Sequence, residues 1–297
     1  MPDGRIIRTR NSFYYVQTAC GLITCKRRGR LKRNKKSDDA LVTGDFVDIS
    51  ILPDGEGVIE RRLPRNNVMK RPPVANVDQV VLTFAAKNPD PHPLLVSRFL
   101  VLAEWAKIPR IVICVNKMDL ITETEDDIFP DYENAGYDVI RVSSKTGMGI
   151  KKLRAGLVGR TTVFAGPSGV GKSSLLNAID PRMNLQTGDI SSKIKRGRHT
   201  TRVAQLIPYA GGYVADTPGF SSVEELLEID PLLLPGYFPE FHQFADGCRF
   251  HPCTHSHEPD CSIKSAVEDG KISRRRYDAY LSLLEEITEA RRSKYRL

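Results

Sequence analysis

The chain has 297 residues, 40% of them hydrophobic, which allows two or three modest domains with real cores. No apolar run approaches the roughly 18 residues needed to cross a bilayer, and residues 1–10 carry charges but no apolar core, so neither a membrane span nor a secretory leader is expected and the expected compartment is the cytoplasm. The net charge of +8 is unevenly spread: residues 1–70 hold 15 Lys and Arg against 8 Asp and Glu, whereas residues 221–297 hold 10 against 14, so a polyanion is the natural partner of the N-terminal part.

Residues 1–70 contain five short stretches rich in β-formers: Arg5–Arg8, Ser12–Val16, Gly21–Lys26, Asp45–Ser50 and Gly57–Arg61. Gly, Asp and Pro separate them. Five strands in so short a span predict an all-β barrel, an OB-fold or an SH3-like barrel. Between the third and fourth lies Lys26-Arg27-Arg28-Gly29-Arg30-Leu31-Lys32-Arg33-Asn34-Lys35-Lys36, nearly all cationic. A loop of this density suits the phosphate backbone of RNA. A solvated loop without a partner, or a nuclear-localisation signal, has the same composition. Pro64 and Arg71-Pro72-Pro73 predict a linker closing a first domain at residue 70.

From about residue 75 continuous apolar runs alternate with helical periods. The order is strand Gln79–Ala85, helix Pro93–Lys107, strand Arg110–Val115, a weaker helix Asp126–Ala135, strand Asp138–Val142, helix Gly149–Leu157, strand Thr161–Ala165 and helix Gly171–Ile179. Buried parallel strands joined by helices make a doubly wound α/β domain over 71–221. Asn116-Lys117-Met118-Asp119 follows the second strand directly, as the guanine-reading motif of GTPases does. Asp119 can accept hydrogen bonds from the guanine N1–H and 2-amino group; adenine has neither donor and would leave the carboxylate unpaired. Asn116 tethers such a loop, and the Lys117 stem packs along the base. Ser143-Ser144-Lys145 follows the third strand, where a backbone loop meets guanine O6.

Gly166-Pro167-Ser168-Gly169-Val170-Gly171-Lys172-Ser173 fits the P-loop pattern between a strand and a helix. Its glycines let backbone N–H groups turn inward on phosphate oxygens, and the helix N-terminus faces the same anion. Lys172 would reach the β- and γ-phosphates and Ser173 would place a hydroxyl on Mg²⁺, with Ser174 next along the helix. Val203–Pro208 and Gly212–Ala215 predict two more strands joined at Ala210-Gly211. Asp216-Thr217-Pro218-Gly219 ends the second: Asp216 can hold Mg²⁺ through water and the Gly219 N–H can sense the γ-phosphate. Between them, Lys195-Arg196-Gly197-Arg198-His199-Thr200-Thr201-Arg202 occupies the place of a first switch. Thr201 is the candidate Mg²⁺ ligand, with Thr200 the alternative. Phe220 stands where many GTPases carry a water-positioning glutamine. His199 is the local candidate for that task, set against a structural or RNA-facing role. The base motifs at 116 and 143 precede the phosphate loop at 166, the reverse of the ordinary order. A circular permutation explains this, with Val158–Arg160 joining ends that are otherwise free and close together.

Cys248, Cys253, His255 and Cys261 form the pattern C-x4-C-x-H-x5-C. Three thiolates and one imidazole make a closed, structural Zn²⁺ site. His251 and His257 are alternative ligands, and unliganded reduced cysteines are the bland alternative. The metal is expected to nucleate a mainly helical C-terminal domain, 222–297, whose own core is thin and which ends in the amphipathic helix Ile272–Arg292.

Taken together, these motifs resemble the circularly permuted, ribosome small-subunit-dependent GTPases of the RsgA family, also called YjeQ or YloQ. The resemblance covers nearly the whole chain and includes the OB-fold barrel, the permuted order, Gly197-Arg198-His199-Thr200-Thr201, the cysteine pattern and Arg71-Pro72-Pro73. It implies a GTP hydrolase that binds the 30S subunit and its 16S rRNA late in maturation, near the decoding site, and turns over faster there. It also implies a cytoplasmic monomer holding one structural Zn²⁺, with Mg²⁺ and GTP or GDP, and catalysis by the histidine at 199. The residues alone reach a GTPase with a basic domain and a zinc site. A GTP-gated rRNA-binding adaptor with incidental hydrolysis is the competing reading. A P-loop small-molecule kinase is a third, opposed by Asn116–Asp119. Because the second switch directly precedes the zinc domain, hydrolysis is expected to move that domain and alter affinity for rRNA.

Overall fold

Alternation of apolar and polar residues rolls the first five strands into a closed barrel. They are β1 (Asp3–Arg10), β2 (Phe13–Thr18), β3 (Gly21–Arg27), β4 (Phe46–Ile51) and β5 (Gly57–Arg62), in the order β1-β2-β3-β5-β4 with β4 returning to β1. β3 pairs with β5 in parallel while the other pairs are antiparallel. This is the OB-fold arrangement rather than the SH3-like one. Ile6, Val16, Cys25, Val47, Ile49 and Ile59 fill its interior. The computed structural model describes residues 3–10, 12–28, 40–70, 73–121, 127–183, 185, 204–216 and 223–294. Most of the cationic segment (29–36), Arg71-Pro72, the switch residues His199, Thr200 and Thr201, and Gly219 and Phe220 lie outside them.

The stretch predicted as a linker contains a short ribbon, β6 (Val68–Lys70) paired antiparallel with β7 (Pro73–Ala75). Met69 and Val74 are buried in the main core, which is why three-residue strands persist. Beyond it a six-stranded sheet has the order β10-β9-β8-β11-β13-β12. Its strands are β8 (Gln79–Ala85), β9 (Arg110–Asn116), β10 (Asp138–Arg141), β11 (Thr161–Ala165), β12 (Leu206–Tyr209) and β13 (Gly212–Asp216). All pairs are parallel except β12 with β13. α1 (Pro93–Trp105) and α2 (Pro130–Asn134) cover one face, and α3 (Ile150–Leu157) and α4 (Lys172–Ile179) the other. Successive strand residues serve opposite cores: Val80, Leu82 and Phe84 join the first face, and Val81 packs with Leu153 and Leu175 on the second. α2 is shorter than its predicted span, starting with Pro130 in its first turn.

The C-terminal residues form α5 (Val223–Leu226), α6 (His242–Ala245), α7 (Ser262–Glu268) and α8 (Arg274–Lys294), with 3₁₀ turns at Pro231–Tyr237 and Pro239–Phe241. No strand occurs here among the described residues. The thin separate core expected for this part is not what forms. Phe238, Phe241, Tyr280 and Leu283 join Phe99 and Leu102 of α1 in one continuous cluster. At this junction Arg276, only 2% exposed, donates from Nε to Glu240 Oε1 at 2.7 Å and from Nη1 to Ser97 Oγ at 3.0 Å. Its guanidinium also lies 4.8 Å from the Phe238 ring centroid and 5.0 Å from that of Tyr132. Arg276→Ala should therefore lower stability by about 3–5 kcal/mol, because Glu240 would stay buried without its partner. Denaturant unfolding checks this, with Arg274→Ala as the exposed control.

Candidate nucleotide and metal sites

In a doubly wound sheet, ligands sit beyond the carboxyl ends of the strands where the strand order reverses. Here the chain runs outward from β8 through β9 to β10, and in the other direction from β11 to β13 and β12, so the crevice opens between β8 and β11. The loops after β8, β9, β10 and β11 all emerge at this end.

The loop after β11 carries Gly166, Gly169 and Gly171 at φ of 145°, 79° and 90°. A Cβ on Gly166 would fall 2.0 Å from the Thr83 carbonyl oxygen of β8, and one on Gly171 would fall 2.6 Å from Asn116 Nδ2. Glycine is thus required at both, for its backbone angles and for the close approach of neighbouring strands. Ser168 and Gly169 form the exposed crest of the loop, Pro167 is half-buried and Val170 is buried beneath it. Lys172 opens α4, and its Nζ donates to the carbonyls of Gly166 at 2.9 Å and Pro167 at 2.7 Å, which holds the ammonium across the loop. Ser173 and Ser174 lie on the first turn of α4, both partly exposed.

Asn116, fully buried at the end of β9, joins three loops. Its Nδ2 donates to the Val170 carbonyl at 3.0 Å, and its Oδ1 accepts from the Ser144 backbone N–H at 3.1 Å. Lys117, at φ 63°, donates from Nζ to the Asn88 carbonyl. Asp119 stands exposed and accepts at Oδ1 from Ser143 Oγ at 2.6 Å. That hydrogen bond is the main reason its carboxyl lies below the ordinary range, with Lys145 and Lys117 adding to it. The group is therefore an ionised acceptor at neutral pH. Ser143 is itself fixed by accepting from the Thr146 N–H at 3.1 Å, while Lys145 is exposed at the rim. The backbone of Asp216 ends β13, in register with Phe164 of β11 and so beside the phosphate loop.

The loop after β8 was not foreseen as part of this site. Asn88 receives Lys117, and Pro89 Cδ would be 3.8 Å from a Cβ on Gly169. The available signal was topological: a turn-rich Asn-Pro-Asp-Pro run directly after the strand that borders the crevice.

The second cluster brings Cys248, Cys253, His255 and Cys261 together, their ligand atoms all within 4.8 Å of one another. Cys261 Sγ is 3.9 Å from Cys248 Sγ and 4.0 Å from Cys253 Sγ, and His255 Nδ1 lies 3.5 Å from Cys248 Sγ and 3.4 Å from Cys261 Sγ. A zinc tetrahedron has edges of ~3.8 Å between sulfurs and ~3.5 Å from sulfur to nitrogen, so this donor set fits that ion in chemistry and spacing. His251 and His257 are exposed and take no part in the cluster. Tyr277 Oη donates to the His255 carbonyl at 2.7 Å and Tyr280 Oη to that of Thr254, so α8 orients the loop. Glu258 accepts from the Thr254 and Ser256 N–H groups at 2.6 and 3.0 Å. Burial pushes the Cys253 thiol up to about 12, the state that a bound divalent cation would reverse.

The sheet, the glycine-shaped phosphate loop and the base-side loop tied to it by Asn116 define a P-loop GTPase whose motifs run in permuted order. Comparison with known proteins agrees. Residues 62–226 match the model of the RsgA GTPase and residues 3–59 that of the RsgA N-terminal domain. The chain belongs to the RsgA GTPase family. A relative from Caldanaerobacter subterraneus, named small ribosomal subunit biogenesis GTPase RsgA, is 42% identical over 99% of this chain and 98% of its own. One of the same name from a Geobacillus species is 45% identical over 97% and 98%. The crystal structure of YjeQ from Thermotoga maritima superposes with a TM-score of 0.81 at 38% identity, covering 97% of this chain and 98% of its own. That of YloQ, described as a circularly permuted GTPase, gives 0.81 at 41%, covering 97% and 96%. Among the described residues no helix is long and apolar enough to cross a membrane.

Proposed function

We propose that this chain hydrolyses GTP while bound to the small ribosomal subunit during its maturation, as a cytoplasmic monomer that contacts 16S rRNA through its basic barrel. The observation that supports this reading is the Asn116 tether, which ties the end of β9, where the loop bearing Asp119 begins, to the phosphate loop and to Ser144, in a chain whose relatives are named for small-subunit biogenesis. In this reading Asp119 accepts from the guanine N1–H and 2-amino group, and the Ser143–Lys145 loop meets O6. The N–H groups of 166–173 cradle the phosphates, Lys172 neutralises the β- and γ-oxygens, and Asp216 and the Gly219 N–H complete the γ-phosphate side. Mg²⁺ bound with the nucleotide supplies charge neutralisation, and Ser173 and Thr201 would hold it. His199 orients the attacking water. One Zn²⁺ on Cys248, Cys253, His255 and Cys261 is structural, since four protein ligands leave no open position. The working units are 1–70, 71–221 and 222–297.

The test is turnover of GTP and ATP with and without purified 30S subunits. Subunit-stimulated hydrolysis of GTP but not ATP is expected. His199→Ala should keep the KM for GTP within about twofold and lower the stimulated kcat about 10²-fold. GTP turnover indifferent to the subunit would favour the adaptor reading.

A further inference from the structure

Alternate residues of β2 and β3 face out of the barrel, and that face is aromatic and cationic. Val16 and Cys25 fill the interior, so Phe13 and Tyr15 of β2 lie outside, as do Thr24 and Lys26 of β3. Strict alternation from Ile6, which also fills the interior, would turn Arg8 and Arg10 inward. A bulge between Ile6 and Arg8 reverses the parity, so that Arg8 lies opposite Tyr15 and Arg10 opposite Phe13 on the outer face. The register continues across β3, from Tyr15 to Thr24 and from Phe13 to Lys26. Two rows result, Arg8–Tyr15–Thr24 and Arg10–Phe13–Lys26, each with a ring at its centre.

Both rings hold a cation. The Arg8 guanidinium lies 4.1 Å from the Tyr15 ring centroid, and the Lys26 ammonium 5.5 Å from that of Phe13. Tyr15 also packs against the main core, which Ile7 joins, so its ring is fixed before any ligand arrives. Phe13 is 36% exposed, and Arg10, Thr24 and Lys26 are exposed beside it. Residues 4–37 contain no Asp or Glu. Glu56 reaches the face from the turn before β5, its Oε2 2.6 Å from Lys26 Nζ. Rows two residues apart along a strand are separated by about 6.8 Å, twice the ~3.4 Å rise of stacked bases. A base settles on each row only when its neighbour is splayed away from it, which unpaired RNA permits and a duplex does not. An acidic peptide would pair with the cations but leave the rings without a flat partner.

We propose that the outer face of β1–β3 is a stacking platform for unpaired RNA, with one base on the Arg8–Tyr15 pair, the next on Phe13, and phosphates on Arg10 and Lys26. A guanidinium lying on a ring keeps its other plane for a base, so Arg8 extends the Tyr15 stack rather than blocking it. Glu56 competes with phosphate for Lys26, which keeps the contact reversible. The source of that RNA rests on the small-subunit reading above; its unpaired state does not.

The full chain is titrated with a short fluorescein-labelled single-stranded RNA and with the blunt duplex of the same strand. The single strand should bind about tenfold more tightly than the duplex. Phe13→Leu keeps an exposed apolar side chain but removes the flat ring, and should weaken single-strand binding about tenfold while leaving duplex binding unchanged. Phe13→Trp should restore it. The ratio between wild type and Phe13→Leu should hold as salt rises, because stacking releases no counterions. Equal affinity for strand and duplex, or a Phe13→Leu chain that binds the strand as wild type does, would overturn the platform. So would a polyglutamate peptide whose binding falls as far in Phe13→Leu as that of the RNA. Single-strand binding of the expected kind in a chain whose GTP turnover ignores 30S subunits overturns the small-subunit reading alone. A normal response to the subunit with no effect of Phe13→Leu on the strand overturns the platform alone.

Discussion

Asp119→Asn should weaken guanine-nucleotide binding on the order of 10²–10³-fold and raise affinity for xanthine nucleotides. The carboxylate is an acceptor at both oxygens and is held ionised, chiefly by the Ser143 hydroxyl. An asparagine amide would point donor hydrogens at the guanine 2-amino group, and two donors facing each other leave both unsatisfied. Xanthine carries an oxygen at that position, which accepts from the amide, while its N1–H still donates to the amide oxygen. Titration with GDP, xanthosine diphosphate and ADP reads the exchange of preference. ADP should bind weakly to both proteins, because its base lacks N1–H. Guanine affinity that survives Asp119→Asn would place the base elsewhere and remove the role given to residues 116–119.

The second large effect is expected from the metal. Residues 246–261 contain no helix or strand of their own, and the cluster is their main fastening besides the bonds from Tyr277 and Tyr280. Purified protein should contain about one zinc per chain. Stripping it with a chelator should remove at least about 5 kcal/mol and lower the Tm by 10 °C or more. The loss should be local at first. Trypsin should cut at exposed Arg249 faster in the stripped protein than in the zinc-bound one, with the rate of cutting in the barrel unchanged. Cys261→Ser should behave like the stripped protein, whereas His251→Ala and His257→Ala should retain the metal, since both imidazoles lie outside the cluster. Equal Tm values with and without zinc would leave the cluster a set of reduced thiols.

Most of the architecture was legible because its signals are local. Continuous apolar runs become parallel strands buried on both faces, and Gly166–Ser173 names a backbone shape that few other residues permit. The metal pattern is likewise compact in sequence. What escaped reading depends on partners far apart along the chain. The Thr43 hydroxyl donates to the Ala204 carbonyl 161 positions away, and nothing near either announces the other. Arg276 sits within the run Arg274-Arg275-Arg276, which composition reads as a solvated face, yet the last of the three is buried against Glu240 and Ser97. The linker expected at 64–73 contains a ribbon because Met69 and Val74 find apolar neighbours supplied by other segments. The loop after β8 lacked a motif and became visible only once the strand order located the crevice.

The three-residue connection Val158–Arg160 divides the pocket into two consecutive stretches. Everything that would read the base precedes Gly159, and everything that would grip the phosphates follows it. During synthesis the first half emerges with β8 lacking its neighbour β11, one side of the sheet's centre still unpaired. Competence to hold the nucleotide is therefore acquired only after β13 has been made, so a nascent chain halted between residues 159 and 200 should fail to be retained on a guanine-nucleotide resin.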